Sequence, residues 1–209
     1  MRIEIRGNQV ILDGYVNAVE RESRVLPSPR GRFIEKIKAG TFARALQRAD
    51  DVELRFNHNP NRKLGSIKQG NLELFEDNIG LRAIATVTDE EVVQKAEKGE
   101  LRGWSFGFRA LKDTWEDGKD GILRRTLEDI DLVEVSILDK TPAYIATSIE
   151  ARGEEETVTE TRVYENKAVV EKLPSEKQQD VHEKQQTINY SILEKEIELL
   201  KMKGGIVYV

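Results

Sequence analysis

The sequence predicts a mainly β fold. The expected form is a closed or nearly closed antiparallel β-barrel with helices on its outside, followed by a charged, partly disordered C-terminal tail. Three observations predict it. Apolar and polar residues alternate with period two through most of the first 150 positions. Only two stretches there carry a helical period. Composition then shifts near residue 150: every Trp and Phe, and all but one Pro, lie before it. Many strands with few helices manage their edges most simply by closing on themselves.

The elements follow in order. "RIEIRG" and "VILDGYVNAV" alternate as strands. "TFARALQRA" puts Phe42, Ala45, Leu46 and Ala49 on one helical face, with Thr41 as the N-cap. "DVELRF" is a strand leading into the polar turn "NHNPNR", and "LGSI", "NLELFED" and "GLRAIATV" continue the β pattern. "TDEEVVQKAEKGE" reads as a helix, with Thr88 and Glu91 as a capping box and Gly99 at its stop. "LRGWSFGFRAL", "GILRRTLEDIDLVEVSIL" and "TPAYIAT" complete the strands. The expected division is residues 1–150 as the barrel domain and 151–209 as the tail. The run "EARGEEETVTETR" buries too little apolar surface to offset its ordering entropy. Within the tail, "YSILEKEIELLKMKGG" predicts a short helix over about 190–203, marginal on its own in water.

Composition narrows the chemistry. The 209 residues carry a net charge of −5, with 38% apolar and 34% charged residues, enough for a core but not along the whole chain. The mild acidity lacks the clustered basic surface of a nucleic-acid binder. With no cysteine there is no disulfide, thiol nucleophile or thiolate-bound zinc. No apolar run approaches the ~18 residues of a membrane helix, and "MRIEIRGNQV" is not a secretory signal. Only His58 and His182 can supply imidazole.

One stretch invites a chemical reading. In "LRGWSFGF", Trp104, Phe106 and Phe108 fall on one face of a strand and read as core, while Gly103, Ser105 and Gly107 fall on the other. Glycines in a strand mark a bulge or a close backbone approach. Either a neighbouring loop packs over them, or Ser105 sits in an open slot where a substrate chain can lie. A serine nucleophile needs a base. His58, between two asparagines just after a strand, is placed to reach a site, although a solvated turn histidine fits the same sequence. His182 lies in a polar stretch of the tail and reads as exposed. In "DLVEVSIL", Asp131, Val133, Val135 and Ile137 share one face, and Leu132, Glu134, Ser136 and Leu138 the other. An inward Glu134 would need a partner such as a histidine; an outward one would need none.

Taken together, "LDGYVNAVE", "EKIKAGTFARAL", "RFNHNPNRKLGSI", "GLRAIATV", "GELRGWSFGF" and "LEDIDLVEVSILDKTPAY", in this order and spacing over residues 10–150, resemble the HK97-type prohead (capsid maturation) proteases of tailed bacteriophages. That family is similar in fold to the herpesvirus assembly proteases. The resemblance implies a serine endopeptidase with Ser105 as nucleophile and His58 as general base. It points to Glu134 as the third member, with Ser136 and Asp131 close by. The herpesvirus enzymes use a second histidine there, and this body has none. Many relatives carry an acid after the histidine where this chain has Asn59. The implied substrates are the scaffolding part of the major capsid protein and the protease itself, inside assembling proheads in the host cytoplasm. The tail then reads as a targeting or self-cleaved segment, a loop near "LDKTPAY" as a source of oxyanion donors, and a homo-oligomer is allowed. No cofactor, metal, nucleic acid or membrane is implied. The rivals are a non-catalytic capsid or scaffold component, and a carboxylate hydrolase using Glu134 with Asp131 or Glu128. With one body histidine and no cysteine, metal ligands are scarce.

Overall fold

In a computed structural model the described residues are 1–139, 159–164 and 169–172. The chain divides into two units, Met1–Ser175 and Glu176–Val209, and every described residue belongs to the first. The expected helix over 190–203, His182, and residues 140–144 of the oxyanion-loop expectation lie outside the described residues.

Strands dominate. One sheet carries β1 (Arg2–Arg6), β2 (Gln9–Ala18), β6 (Leu72–Glu76), β7 (Gly80–Val87) and β11 (Val169–Lys172), in the order β11-β1-β2-β7-β6. The other carries β3 (Phe33–Ile37), β4 (Glu53–Phe56), β5 (Asn59–Ser66), β8 (Gly103–Glu116), β9 (Leu123–Leu138) and β10 (Glu160–Tyr164). Its order is β10-β8-β9-β4-β5, with β3 also on β9. Two helices, α1 (Thr41–Arg48) and α2 (Glu90–Glu97), complete the fold. Neither is long and apolar enough to cross a membrane.

The expected closed antiparallel barrel is not found among the described residues. The strands form two open sheets, and the pairs β3–β9, β4–β9 and β1–β11 are parallel. The reason lies in β9. At 16 residues it is long enough to take β3 along its first half and β4 along its second, on one edge. A second difference concerns the chain past residue 150, where the sequence reading ends the body. Strands β10 and β11 lie beyond that position and pair with β8 and β1.

The sheets enclose a single apolar core. Trp104, Phe106 and Phe108 of β8 are fully buried in it, as the alternation predicts, with Val135 and Ile137 of β9 and Leu12 of β2. Phe42 of α1 meets Phe106 edge-on, and Phe106 stacks on Phe108. Such pairs add about 1 kcal/mol beyond their buried area.

Both helices are capped differently from expectation. Thr41 is the first helical residue of α1, not its cap, and its hydroxyl donates to the Glu128 carbonyl at 3.1 Å. The carboxylate of Glu76 on β6 accepts instead from the Gly40 and Ala43 N–H groups, at 2.6 and 2.7 Å. A distant acid thereby satisfies the free donors of the first turn and their positive end. In α2 the cap is Asp89, accepting from the Val92 N–H, rather than Thr88. Gly99 follows that helix at φ 69°, the left-handed conformation that ends helices.

Candidate active site

The histidine is placed by a hairpin. Strands β4 and β5 join through Asn57 and His58, with Phe56 paired to Asn59 across the turn. Both tip residues have positive φ, 53° and 58°. That is the type I′ geometry whose twist matches antiparallel strands, and Asn and His tolerate it better than most residues. The tip is tied to the end of β9. The Asn57 N–H donates to the Ile137 carbonyl. Its side-chain amide donates to Asp139 at 2.9 Å, and its amide oxygen accepts from the Asp139 N–H at 3.2 Å.

From this tip His58 reaches Glu134. Nδ1 lies 2.6 Å from Glu134 Oε1. Ser136 Oγ donates to Glu134 Oε2 at 2.6 Å and accepts from the His58 N–H at 3.1 Å. The ring, the carboxylate and the hydroxyl thus form a closed circuit. A carboxylate beside Nδ1 draws the ring proton there and leaves the lone pair of a neutral imidazole on Nε2. Nε2 is itself buried and has no hydrogen-bond partner among the described residues. A buried acceptor without a partner is costly in a finished core and common where a reacting group arrives.

Ser105 stands on the neighbouring strand. In the β8–β9 register it is opposite Ser136, and Gly107 is opposite Glu134. Opposed residues on one sheet face have Cβ atoms about 5 Å apart, so Ser105, Ser136 and Glu134 share a face. The bare surface around the serine has an occupant. A Cβ on Gly107 would come within 2.6 Å of Glu134 Oε1, the oxygen that meets His58. Ser105 itself is fully buried, and its hydroxyl donates at 2.6 Å to the carbonyl of Arg162 on β10 rather than to His58. Gly107→Ala is therefore expected to push the Glu134 carboxylate off His58. The His58 ring resonances should then move in proton NMR spectra of the variant, while its far-ultraviolet circular dichroism stays that of the parent chain.

The other acids lie elsewhere. Register slips at Val133, so that Gly107 pairs with Glu134 but Phe108 with Leu132. The slip brings Leu132 into the core with Val135 and Ile137 and leaves Asp131 on the opposite phase. This corrects the face assignment drawn from unbroken alternation. Asp131 is half-exposed opposite Arg109, 3.9 Å from Arg48, and Glu128 pairs with Lys112. Neither contacts the His58–Glu134 pair. Asn59 turns its side chain to the Asn61 N–H, away from that circuit. Among the described residues no cluster of acids and histidines is suited to hold a metal ion.

A second polar cluster borders the serine, and sequence reading missed it. Glu35 and Arg125 face each other in the β3–β9 register and pair at 3.1 Å. Arg125 also takes Asp113 at 2.7 Å and both oxygens of Glu160, at 2.5 and 2.8 Å. Arg162 grips both oxygens of Glu35, at 2.6 and 2.8 Å. Burial pushes the Glu160 carboxyl upward, but its bonds to Arg125 and the nearby Arg162 outweigh this and hold it below its ordinary range. A signal for this cluster existed. "FIEKI" puts Glu35 between Phe33 and Ile37 on an otherwise apolar strand face, where a lone acid needs a cation.

The family model described as caudovirus prohead serine protease matches residues 1–162. No curated protein and no solved structure matches the chain.

Proposed function

Since the chain belongs to the caudovirus prohead serine protease family, a family of serine peptidases that mature phage capsids, we infer that Ser105, His58 and Glu134 are its catalytic residues. On this reading Ser105 Oγ attacks a peptide carbonyl and His58 Nε2 takes its proton. Glu134 fixes the ring through Nδ1 and stabilises the imidazolium, as the acid does in other triads. The protonated ring then supplies the leaving amine, and water hydrolyses the acyl-enzyme by the same relay. Ser136 acts through Glu134, as a positioning residue that holds its second oxygen.

The observation that carries the reading is the 2.6 Å approach of His58 Nδ1 to a buried carboxylate on the strand beside Ser105, with Nε2 unpartnered among the described residues. The substrates on this reading are the capsid protein's scaffolding segment and the chain itself, within the assembling prohead. Confinement there raises local substrate concentration, so a modest enzyme suffices. The test is incubation of the purified chain with its capsid-protein precursor. Trimming is expected, with loss after treatment with a serine-directed fluorophosphonate that peptide mapping finds on Ser105, and no loss with a metal chelator. An untouched precursor returns the chain to a scaffold role. Trimming that survives the fluorophosphonate returns it to a carboxylate hydrolase.

A further inference from the structure

Strand β10 lies against β8 as a substrate would. It pairs antiparallel, with Val163 opposite Ser105 and Arg162 opposite Phe106. The main-chain carbonyl it brings to the Ser105 hydroxyl is that of Arg162. The side chain of the same residue enters a built receptor. Glu35 at its floor is 4% exposed and takes Nε and Nη2 in a two-pronged pair. The rings of Phe108 and Phe33 flank the guanidinium at 5.2 and 6.0 Å. Two residues earlier, Glu160 is held by both outer nitrogens of Arg125. Before β10 arrives, Glu35 and Arg125 have each other, and Arg125 has Asp113. Without β10 this group holds two acids and one cation, so it carries one net negative charge and offers Glu35 to an incoming guanidinium and Arg125 to an incoming carboxylate.

We propose that Glu35 and Arg125 are the specificity-determining residues of this protease, selecting strands with an arginine whose carbonyl is cut and an acidic residue two positions before it, and that β10 is the first such substrate. The inference rests on the serine-protease reading above. In it, Ser105 Oγ bonds to the Arg162 carbonyl carbon and its proton passes to His58 Nε2. The Arg162–Val163 C–N bond breaks, and that proton goes to the Val163 nitrogen. A water then adds to the ester, giving one proton to His58, and the bond from Ser105 Oγ to the acyl carbon breaks as Oγ takes that proton back. The acid formed on Arg162 passes its remaining proton to the new amine, so the products are a carboxylate on Arg162 and an ammonium on Val163. A flat, two-pronged guanidinium fits the paired oxygens of Glu35 and the ring faces as a lysine ammonium does not.

The experiment has two readouts on the full chain. Intact-mass measurement after incubation is expected to find a break between Arg162 and Val163. Internally quenched peptides spanning Glu-Thr-Arg-Val-Tyr are then offered to the incubated chain. Replacing their arginine by citrulline, equal in shape but neutral, is expected to lower kcat/KM about 100-fold, the usual effect of unpairing a buried charge. Glu35→Gln should erase most of that difference. The peptide series stands on the parent chain should this variant fail to fold. Equal rates for arginine and citrulline peptides, or a self-cut elsewhere, overturn the inference while trimming of the capsid precursor keeps the protease reading intact. If precursor, peptides and chain all stay whole, the protease reading falls with it.

Discussion

Ser105→Ala is expected to lower the rate of capsid-precursor trimming by about 10⁶-fold, because removing a serine nucleophile from a working relay costs about as much as removing the relay. The fold should survive. Alanine is smaller than serine and fits the space, and the loss is one hydroxyl bond to the Arg162 carbonyl, worth about 1 kcal/mol. Thermal denaturation of the variant separates these effects. A midpoint within a few degrees of the parent, with trimming abolished, assigns the loss to chemistry. Trimming at the parental rate would remove Ser105 from the mechanism.

Glu134→Gln is expected to cost about 10⁴-fold in kcat with little change in KM, the scale seen when a triad acid becomes an amide. Glu134 accepts from two donors at once, His58 Nδ1 and Ser136 Oγ. An amide has one acceptor oxygen and one donor nitrogen. If its nitrogen faces the ring, the proton of the imidazole moves to Nε2 and the base is lost. If its oxygen faces the ring, its nitrogen meets a hydroxyl whose proton already points that way, and the circuit through the His58 N–H strains. Steady-state kinetics on a peptide substrate, with near-ultraviolet circular dichroism as a packing control, check the split between kcat and KM. A merely structural Glu134 would move the spectrum and spare kcat in whatever protein folds.

What the sequence made legible was local. Alternation placed Trp104, Phe106 and Phe108 in the core and put Ser105 on the opposite face, and a single body histidine narrowed the choice of base. Those inferences need only a period of two and a count. The corrections came from partners distant in the chain. Gly40 and Ala43 find their acceptor on Glu76, so a capping rule that looks at neighbours chose Thr41. One extra residue at Val133 inverted the phase of "DLVEVSIL" for Asp131 and Leu132, and a bulge leaves no mark in a run of apolar and acidic residues. The closed barrel is not found among the described residues for a related reason, since alternation reports strands but not which edge of β9 each one takes. The run "EARGEEETVTETR" read as the exit from the folded body because it holds too little apolar surface to offset its ordering entropy. The partners of its Glu160 and Arg162, Arg125 and Glu35, lie on strands formed far earlier, and charge-balanced burial cannot be seen by composition.

Strands β10 and β11 belong to different sheets, and only residues 165–168 separate them. So long as the backbone is continuous, β11 is a tethered ligand of β1, and closing so short a connection costs little. Sever the chain after Arg162 and the same four-residue pairing must be sustained at free concentration, where effective molarities of the millimolar order vanish. One cut after Arg162 would thus loosen the pairing in the second sheet as well as in the first, and leave the outer edge of β1 without its parallel neighbour.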